Sequence, residues 1–267
     1  MRPMKIMYLD PVPDHRYLPM FAGLGQQEVG HEVEVHVTCL PSSCGTLTHL
    51  EYRAYEGAMT HGILRAVHAA AREGFDAFII GCFYDTALLD AREVSGTMHV
   101  VAPCMAASEI AASLCNRFGV ITGRTKWSHQ MRRTLEDYGH QSRLTGLYDV
   151  GLRVDEFMAD PSRTEALILA AARRAVTDDQ AEALILGCTM ETGFHHQIED
   201  ALGVPVIDPV IAAFQRAAYS ARLKSACGLV PSRRFSCEAP PVDELAGSGI
   251  FLGTAFGQRM MGIEATA

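Results

Sequence analysis

The sequence predicts an α/β fold with two pseudo-symmetric lobes, each a mostly parallel sheet flanked by helices, and an active site in the cleft between the lobes. Short continuous apolar runs alternate with helical patterns along the 267 residues, as in parallel sheets covered on both faces. The segment GFDAFIIGC at residues 74–82 is repeated as QAEALILGC at residues 180–188, which indicates two related halves. A hydrophobic fraction of 48% and a charged fraction of 20% fit an ordinary folded chain.

In the first half, an apolar run ending at Asp10 indicates the first strand, and alternating valines indicate the second. Helical spacing of apolar residues predicts a helix that stops at Gly74, and Pro103 suits the first turn of another helix. The predicted strands are residues 5–9, 33–37, 76–81 and 98–102, and the predicted helices are about 51–73 and 103–114.

In the second half, Asp160 and Pro161 form a good N-cap and first-turn pair for a helix whose apolar face extends to Val176. Strands are predicted over residues 118–122, 183–187 and 204–207, and the other helices over 125–138, from after 188 to about 203, and 209–224. We expect a first lobe of residues 1–100 plus about 205–225 and a second of residues 101–204. Residues 226–267 are expected to be a C-terminal extension that packs on the core or on a partner subunit.

Charge and composition exclude several classes of partner. With 23 basic and 31 acidic residues the net charge is −8, and basic residues do not cluster with aromatics, so a nucleic-acid surface is not expected. No apolar stretch reaches the ~18 residues of a membrane span. The first residues lack the pattern of a secretory signal, so we expect a cytoplasmic protein whose partner is a small molecule.

The eight cysteines are expected to be thiols rather than disulfides, because the chain is long and a secretory signal is absent. We expect no metal, since no Cys-x-x-Cys pair occurs and His195 and His196 are adjacent. We expect no nucleotide cofactor, because the glycines at residues 23–30 lack the dinucleotide-binding spacing.

Cys82 and Cys188 are the candidate catalytic residues, because each follows a predicted strand at the end where open α/β sheets bind ligands. The glycine before each cysteine permits a sharp turn, and a helix after each would present N–H groups that lower the thiol pKa. One thiolate could remove a proton from a carbon acid while the other thiol returns a proton to the opposite face. The backbone amides of Phe83 and Thr189 could hold the developing enolate oxygen. Cysteine is also common in protein cores, so simple packing is the alternative.

The segments IGCFYD at residues 80–85, LGCT at 186–189 and VPVIDP at 204–209 resemble the aspartate/glutamate racemase superfamily, most closely its hydantoin racemase branch. The resemblance covers about residues 5–223. It implies a cofactor-independent, metal-free, two-cysteine inversion of the acidic carbon of a 5-substituted hydantoin or the related allantoin, carried out by a homo-oligomer. On this chain Cys82 and Cys188 take the catalytic positions.

The sequence departs from that branch around the ligand. The branch usually has an Asn-Pro-Asn type loop after the first strand, where this chain has DPVPD at residues 10–14, and Tyr84-Asp85-Thr86 replaces a typical Gly-Asp-Pro. These departures affect the expected ligand more than the expected reaction. The candidate substrate-binding residues are Asp10, Phe83, Tyr84, Asp85, Thr122 and Thr189.

Several of these residues have structural alternatives. Asp10 could be a turn former, Asp85 could cap the following helix, and Thr122 could be an N-cap. Cys104 is expected to pack in the core or wall.

Other functions remain open. Within the superfamily these are an aspartate/glutamate-type amino-acid racemase, a maleate isomerase, or an arylmalonate decarboxylase-like enzyme, although a decarboxylase needs only one thiol. Outside it, a non-catalytic binding module could keep the same scaffold.

Overall fold

Two separate sheets organise the computed structural model, which describes residues 3–262. The strands are β1 (Met4–Asp10), β2 (Val33–Cys39), β3 (Ala77–Ile80), β4 (His99–Val101), β5 (Phe118–Thr122), β6 (Leu144–Asp149), β7 (Ala183–Leu186), β8 (Val206–Ile207) and β9 (Arg259–Met261). The α-helices are α1 (Leu18–Val29), α2 (Arg53–Arg72), α3 (Leu88–Val94), α4 (Pro103–Leu114), α5 (Thr125–Asp137), α6 (Pro161–Thr177), α7 (His195–Leu202), α8 (Pro209–Cys227) and α9 (Val242–Ser248). The alternation of strands and helices confirms the predicted α/β class.

The two sheets repeat one topology. The first has the order β4-β3-β1-β2-β9, and the second has the order β6-β5-β7-β8. Adding four to each strand number converts β4-β3-β1-β2 into β8-β7-β5-β6, which is the second sheet read from its other edge. All neighbours within these two sets of four strands are parallel. The strand order therefore confirms the prediction of pseudo-symmetric halves.

The chain divides into two compact units, each built around one sheet. Within the described residues, unit 1 contains 3–81, 86–102 and 214–262, and unit 2 contains 82–85 and 103–213. In unit 1 the segment from Ile6 to Leu9 is fully buried in β1. In unit 2 small residues on one face of α6, including Ala171 and Ala175, pack with Leu184 of β7. These short side chains let the helix lie close to the sheet.

The division into units differs from the sequence prediction at two places. Residues 82–85, predicted in the first lobe, group with unit 2. Residues 205–213 were assigned to the first lobe, but Val206 and Ile207 form β8 and pair with Leu184 and Ile185 of β7. Residues up to 213 therefore belong to unit 2, and unit 1 resumes at Phe214 within α8.

The C-terminal segment packs on its own chain. Strand β9 pairs antiparallel with β2, with Val37 opposite Met260, and so covers the edge of the first sheet. The Arg259 guanidinium pairs with Glu73 at 2.7 Å and lies over the Phe75 ring. Of the two alternatives left open for this segment, packing on the core is the one observed for the described part, and residues 263–267 lie outside it.

Candidate active site

A glycine precedes each candidate cysteine and makes an equivalent hydrogen bond in the two units. The Gly81 N–H donates to the Leu9 carbonyl at 2.8 Å, and the Gly187 N–H donates to the Ile121 carbonyl at 2.7 Å. Cys82 and Cys188 thus follow equivalent strands, at the carboxyl ends where the sequence placed them. Cys82 is half-buried, and the Cys188 residue is 8% exposed.

Close packing, rather than an unusual backbone conformation, requires glycine at these two positions. Neither glycine has a positive φ. A Cβ at position 187 would lie 2.3 Å from the Ile121 carbonyl oxygen, and one at position 81 would lie 2.4 Å from the Tyr8 hydroxyl. A side chain at either position would displace the strand end that carries the thiol.

The expected helix directly after each cysteine is replaced by shorter structures. After Cys82 the chain makes a turn closed by the Asp85 N–H to the Cys82 carbonyl at 2.9 Å, and α3 begins only at Leu88. After Cys188 comes one turn of 3₁₀ helix, Thr189–Glu191, before α7. Turns with few residues present their amide groups to the site without a long helix dipole.

Asp85 anchors the turn after Cys82 to α4. Its Oδ1 accepts from the Cys104 N–H at 2.9 Å, and its Oδ2 accepts from the Met105 N–H at 2.8 Å and from the Tyr138 hydroxyl at 2.8 Å. The residue is buried and has a φ of +53°. Asp85 therefore caps α4, not α3, and acts as a positioning residue for the Cys82 turn.

A second carboxylate holds the other end of this turn within unit 1. The Thr86 hydroxyl donates to Glu56 Oε2 at 2.9 Å, and both residues are buried. Glu56 lies in the first turn of α2. Two consecutive residues after Cys82 are thus anchored, Asp85 through its own carboxylate and Thr86 through the carboxylate of Glu56.

Cys104 lies close enough to Cys82 and Asp85 to respond to their charges. It is fully buried, and burial, followed by the Asp85 and Cys82 charges, raises the pKa of its thiol well above the ordinary value. Cys104 is therefore a protonated thiol in the wall of unit 2, as expected from the sequence. None of the eight cysteines forms a disulfide.

Asp10 and Thr122 occupy equivalent positions in the two sheets, because each follows the residue whose carbonyl accepts from a Gly N–H. Burial raises the pKa of Asp10 to about 8, the Asp14 charge adds to this effect, and Arg16 opposes it. Asp10 is therefore mostly protonated at neutral pH and can donate a hydrogen bond. Thr122 is fully buried, and its hydroxyl has no hydrogen-bond partner within residues 3–262.

The candidate oxyanion donors remain available. Neither the Phe83 N–H nor the Thr189 N–H donates a hydrogen bond to another protein group in the described part of the chain. The Phe83 residue is 3% exposed and Thr189 is half-buried, whereas Tyr84 is 9% exposed. Backbone amides without a protein partner are groups that can stabilise a developing negative charge.

Asp208 organises the loop that follows Cys188. Its Oδ2 accepts from the Thr192 hydroxyl and the Gly193 N–H, both at 2.8 Å, and lies 3.5 Å from His195 Nδ1. Burial works to raise the pKa of Asp208, but the contact with His195 and the hydrogen bonds from Gly193 and Thr192 outweigh it and hold the pKa below its ordinary value. Its Oδ1 accepts from the Val210 N–H at 2.9 Å and so caps α8.

Glu191 was not identified from the sequence. It is fully buried three residues after Cys188, and its N–H closes the 3₁₀ turn onto the Cys188 carbonyl at 2.9 Å. Burial raises the pKa of its carboxyl well above the ordinary value and so favours the uncharged form. A single Glu gives no sequence signal of burial, because glutamates are mostly exposed.

Residues 3–262 show neither a metal-binding cluster nor a membrane-spanning helix. No group of three or more His, Cys, Asp or Glu side chains is arranged to hold a metal ion. None of the helices in this range has the length and apolar character needed to cross a bilayer.

Comparison with known proteins gives one family and consistent relatives. The model of the family described as Asp/Glu/Hydantoin racemase matches residues 20–217. A hydantoin racemase from Rhizobium meliloti is 34% identical over 172 residues, which are 64% of this chain and 71% of that protein. A hydantoin racemase from Pseudomonas sp. (strain NS671) is 34% identical over 151 residues, 57% of this chain and 60% of that protein. The solved allantoin racemase from Klebsiella pneumoniae shares the fold, with a TM-score of 0.79, 24% identity and coverage of 89% of this chain and 94% of its own.

Proposed function

The chain belongs to the Asp/Glu/Hydantoin racemase family and is a racemase, and from this premise we propose that it inverts the acidic ring carbon of a 5-substituted hydantoin or a related compound. The proposed mechanism uses Cys82 and Cys188 and needs no cofactor. The observation that carries the proposal is the repeated placement of a cysteine after a glycine that cannot bear a side chain, at equivalent strand ends.

The proton balance is simple. One cysteine, as the thiolate, takes the proton from the ring carbon and becomes a thiol, and the electron pair of the broken C–H bond moves onto the neighbouring carbonyl oxygen as an enolate. The other cysteine, as the thiol, gives its proton to the opposite face of that carbon and becomes a thiolate. The enzyme ends with the protonation states exchanged and is ready for the reverse direction.

The neighbouring groups have matching roles. In the proposed mechanism the Phe83 and Thr189 N–H groups hold the enolate oxygen, because amides that are already oriented stabilise charge as it develops. Protonated Asp10 and the Thr122 hydroxyl can hydrogen-bond the ring carbonyl or amide groups at two equivalent positions. Asp85 fixes the Cys82 turn and is not part of the proposed substrate contacts.

An uncharged cyclic imide suits this set of groups. A neutral acid, a hydroxyl and two amides supply hydrogen bonds without requiring a charged ligand. The resemblance also leads us to propose a homo-oligomer that acts in the cytoplasm.

The test is incubation with optically pure 5-substituted hydantoins and allantoin in deuterium oxide, following optical rotation together with loss of the ring C–H signal. Aspartate, glutamate, maleate and an arylmalonate complete the panel. We expect deuterium incorporation with racemisation for at least one cyclic substrate. Turnover of the acidic compounds alone would contradict the proposed substrate class and favour the amino-acid racemase, the isomerase or the decarboxylase.

A further inference from the structure

Glu191 is a buried carboxyl group that the proposed reaction does not use. Both of its carboxyl oxygens are buried and make no hydrogen bond to a protein group within residues 3–262. An unsatisfied buried polar group costs free energy, so its retention at one position calls for a physical reason. Glu191 cannot be explained as a surface residue, because its exposed fraction is 0%.

The surroundings of Glu191 connect it with Cys188. The polar groups that face its carboxyl are the N–H groups of Gly187 and Cys188 and the carboxylate of Asp208. The Gly187 N–H is already engaged with the Ile121 carbonyl, and the Glu191 backbone closes the turn that begins at Cys188. The side chain and the main chain of Glu191 are therefore both directed at the peptide that carries the thiol.

The charge state of Glu191 is consistent with a role beside a thiolate. Asp208 is anionic and is held by His195, Thr192 and backbone N–H groups. Burial raises the pKa of the Glu191 carboxyl and favours its protonated form; the Gly187 and Cys188 N–H groups oppose this shift, and the Asp208 charge reinforces it. A second anion at this place would disfavour the Cys188 thiolate, whereas a neutral acid provides a dipole without that repulsion.

We propose that Glu191 is a positioning residue for Cys188, a buried carboxyl group that orients the Gly187–Cys188 peptide and supports the Cys188 thiolate. The catalytic importance of that thiolate rests on the proposed function, but the effect of Glu191 on the thiol does not. Glu191 itself exchanges no proton with the substrate.

The test compares two neutral substitutions of similar size. Glu191→Gln keeps a polar group of nearly the same shape, and Glu191→Met keeps the chain length but removes the oxygens. Asp200→Asn, at an exposed position on α7, is the matched control. The thiol pKa is read from the NMR shifts of protein labelled with ¹³Cβ-cysteine, with Cys188→Ser and Cys82→Ser variants to assign the signals.

We expect Glu191→Gln and Asp200→Asn to leave the Cys188 titration unchanged. We expect Glu191→Met to remove the neighbouring carboxyl dipole, raise the Cys188 pKa by about one unit and so lower its thiolate population at neutral pH by about tenfold. The Cys82 titration should be the same in all variants. An unchanged Cys188 titration in Glu191→Met would overturn the proposal, as would an equal shift in Glu191→Gln or in Cys82.

Activity provides a separate readout. If a hydantoin is racemised, kcat should fall in Glu191→Met with little change in KM, because the substrate contacts are intact. If no substrate in the panel is turned over, the proposed function fails while the titration still decides the role of Glu191. Thermal unfolding of each variant shows whether it folds. If Glu191→Met does not fold, Glu191→Gln still tests the proposal, because the proposal requires its Cys188 titration to equal that of the wild type.

Discussion

Replacing Gly187 by Ala tests whether the glycine before Cys188 is required by packing. The added Cβ would lie 2.3 Å from the Ile121 carbonyl oxygen and 3.0 Å from Val120 Cγ1, whereas ordinary contact begins at 3.4 Å. The strand ends must separate by about 1 Å, and the obstacle is a backbone atom that cannot rotate away. Overpacking of this kind costs about 3 kcal/mol. For a chain of this size that cost lowers the melting temperature by roughly 6–12 °C.

The same displacement moves the Cys188 thiol. A reacting group misplaced by ~1 Å can lose about 100-fold in rate, so racemase activity should fall by that order. Thermal unfolding and the initial rate of racemisation are the two assays. Gly57→Ala is the matched control, because Gly57 is exposed on α2 and no heavy atom lies within 4 Å of its added Cβ. Alanine is a better helix former than glycine by up to ~1 kcal/mol. A Gly187→Ala protein as stable and active as Gly57→Ala would refute the packing argument.

Three further predictions follow from the anchoring contacts. Asp85→Ala removes the acceptor of two α4 N–H groups and should lower the free energy of unfolding in urea by about 3 kcal/mol. Tyr138→Phe removes one hydroxyl and should lower it by only ~1 kcal/mol. Equal losses in the two variants would contradict the capping role. The folded-state pKa of Asp10 is about 8 against an ordinary 3.8, so its contribution to stability is complete below about pH 4 and is lost as the pH rises through 8. Asp10→Asn should remove this decline in the urea midpoints measured at pH 5, 7 and 9. An unaltered decline would exclude Asp10 as its source. Arg259→Met breaks the ion pair with Glu73 and should speed amide hydrogen exchange in β9 while leaving exchange in β7 unchanged. An equal change of the exchange rate in both strands would show that the ion pair does not hold β9.

The fold was predictable where local signals agree. The apolar runs that became β1, β3 and β7 are continuous and end at a glycine or a turn residue, and α6 begins at its Asp160 cap, which accepts from the Arg163 N–H at 3.0 Å. Helix α1 was missed because Gly23 and Gly25 lower its helix propensity. Gly25 is retained for packing, since a Cβ there would lie 2.4 Å from the Phe214 ring. Strand β9 was missed because it has only three residues and its partner is more than 200 residues away.

The site was predictable in part. The repeated Gly-Cys pair indicated the strand ends, because a reactive residue stands at the same position in both copies of the sequence repeat. The role of Asp85 was not predictable, because it caps α4, which begins at Pro103, and not α3, the next helix along the chain. The burial of Glu191 and the many contacts of Asp208 depend on packing between distant segments, which spacing along the sequence does not report.

Isotope exchange by single-cysteine variants tests the two-thiol mechanism most directly. Cys82→Ser and Cys188→Ser proteins are each incubated with the separate enantiomers of a hydantoin substrate in deuterium oxide, and ring deuteration and configuration are measured together. Two thiols on opposite faces predict that each variant loses racemisation and exchanges the ring proton of one enantiomer only, with opposite preference in the two variants. Undiminished racemisation by either variant would contradict the mechanism.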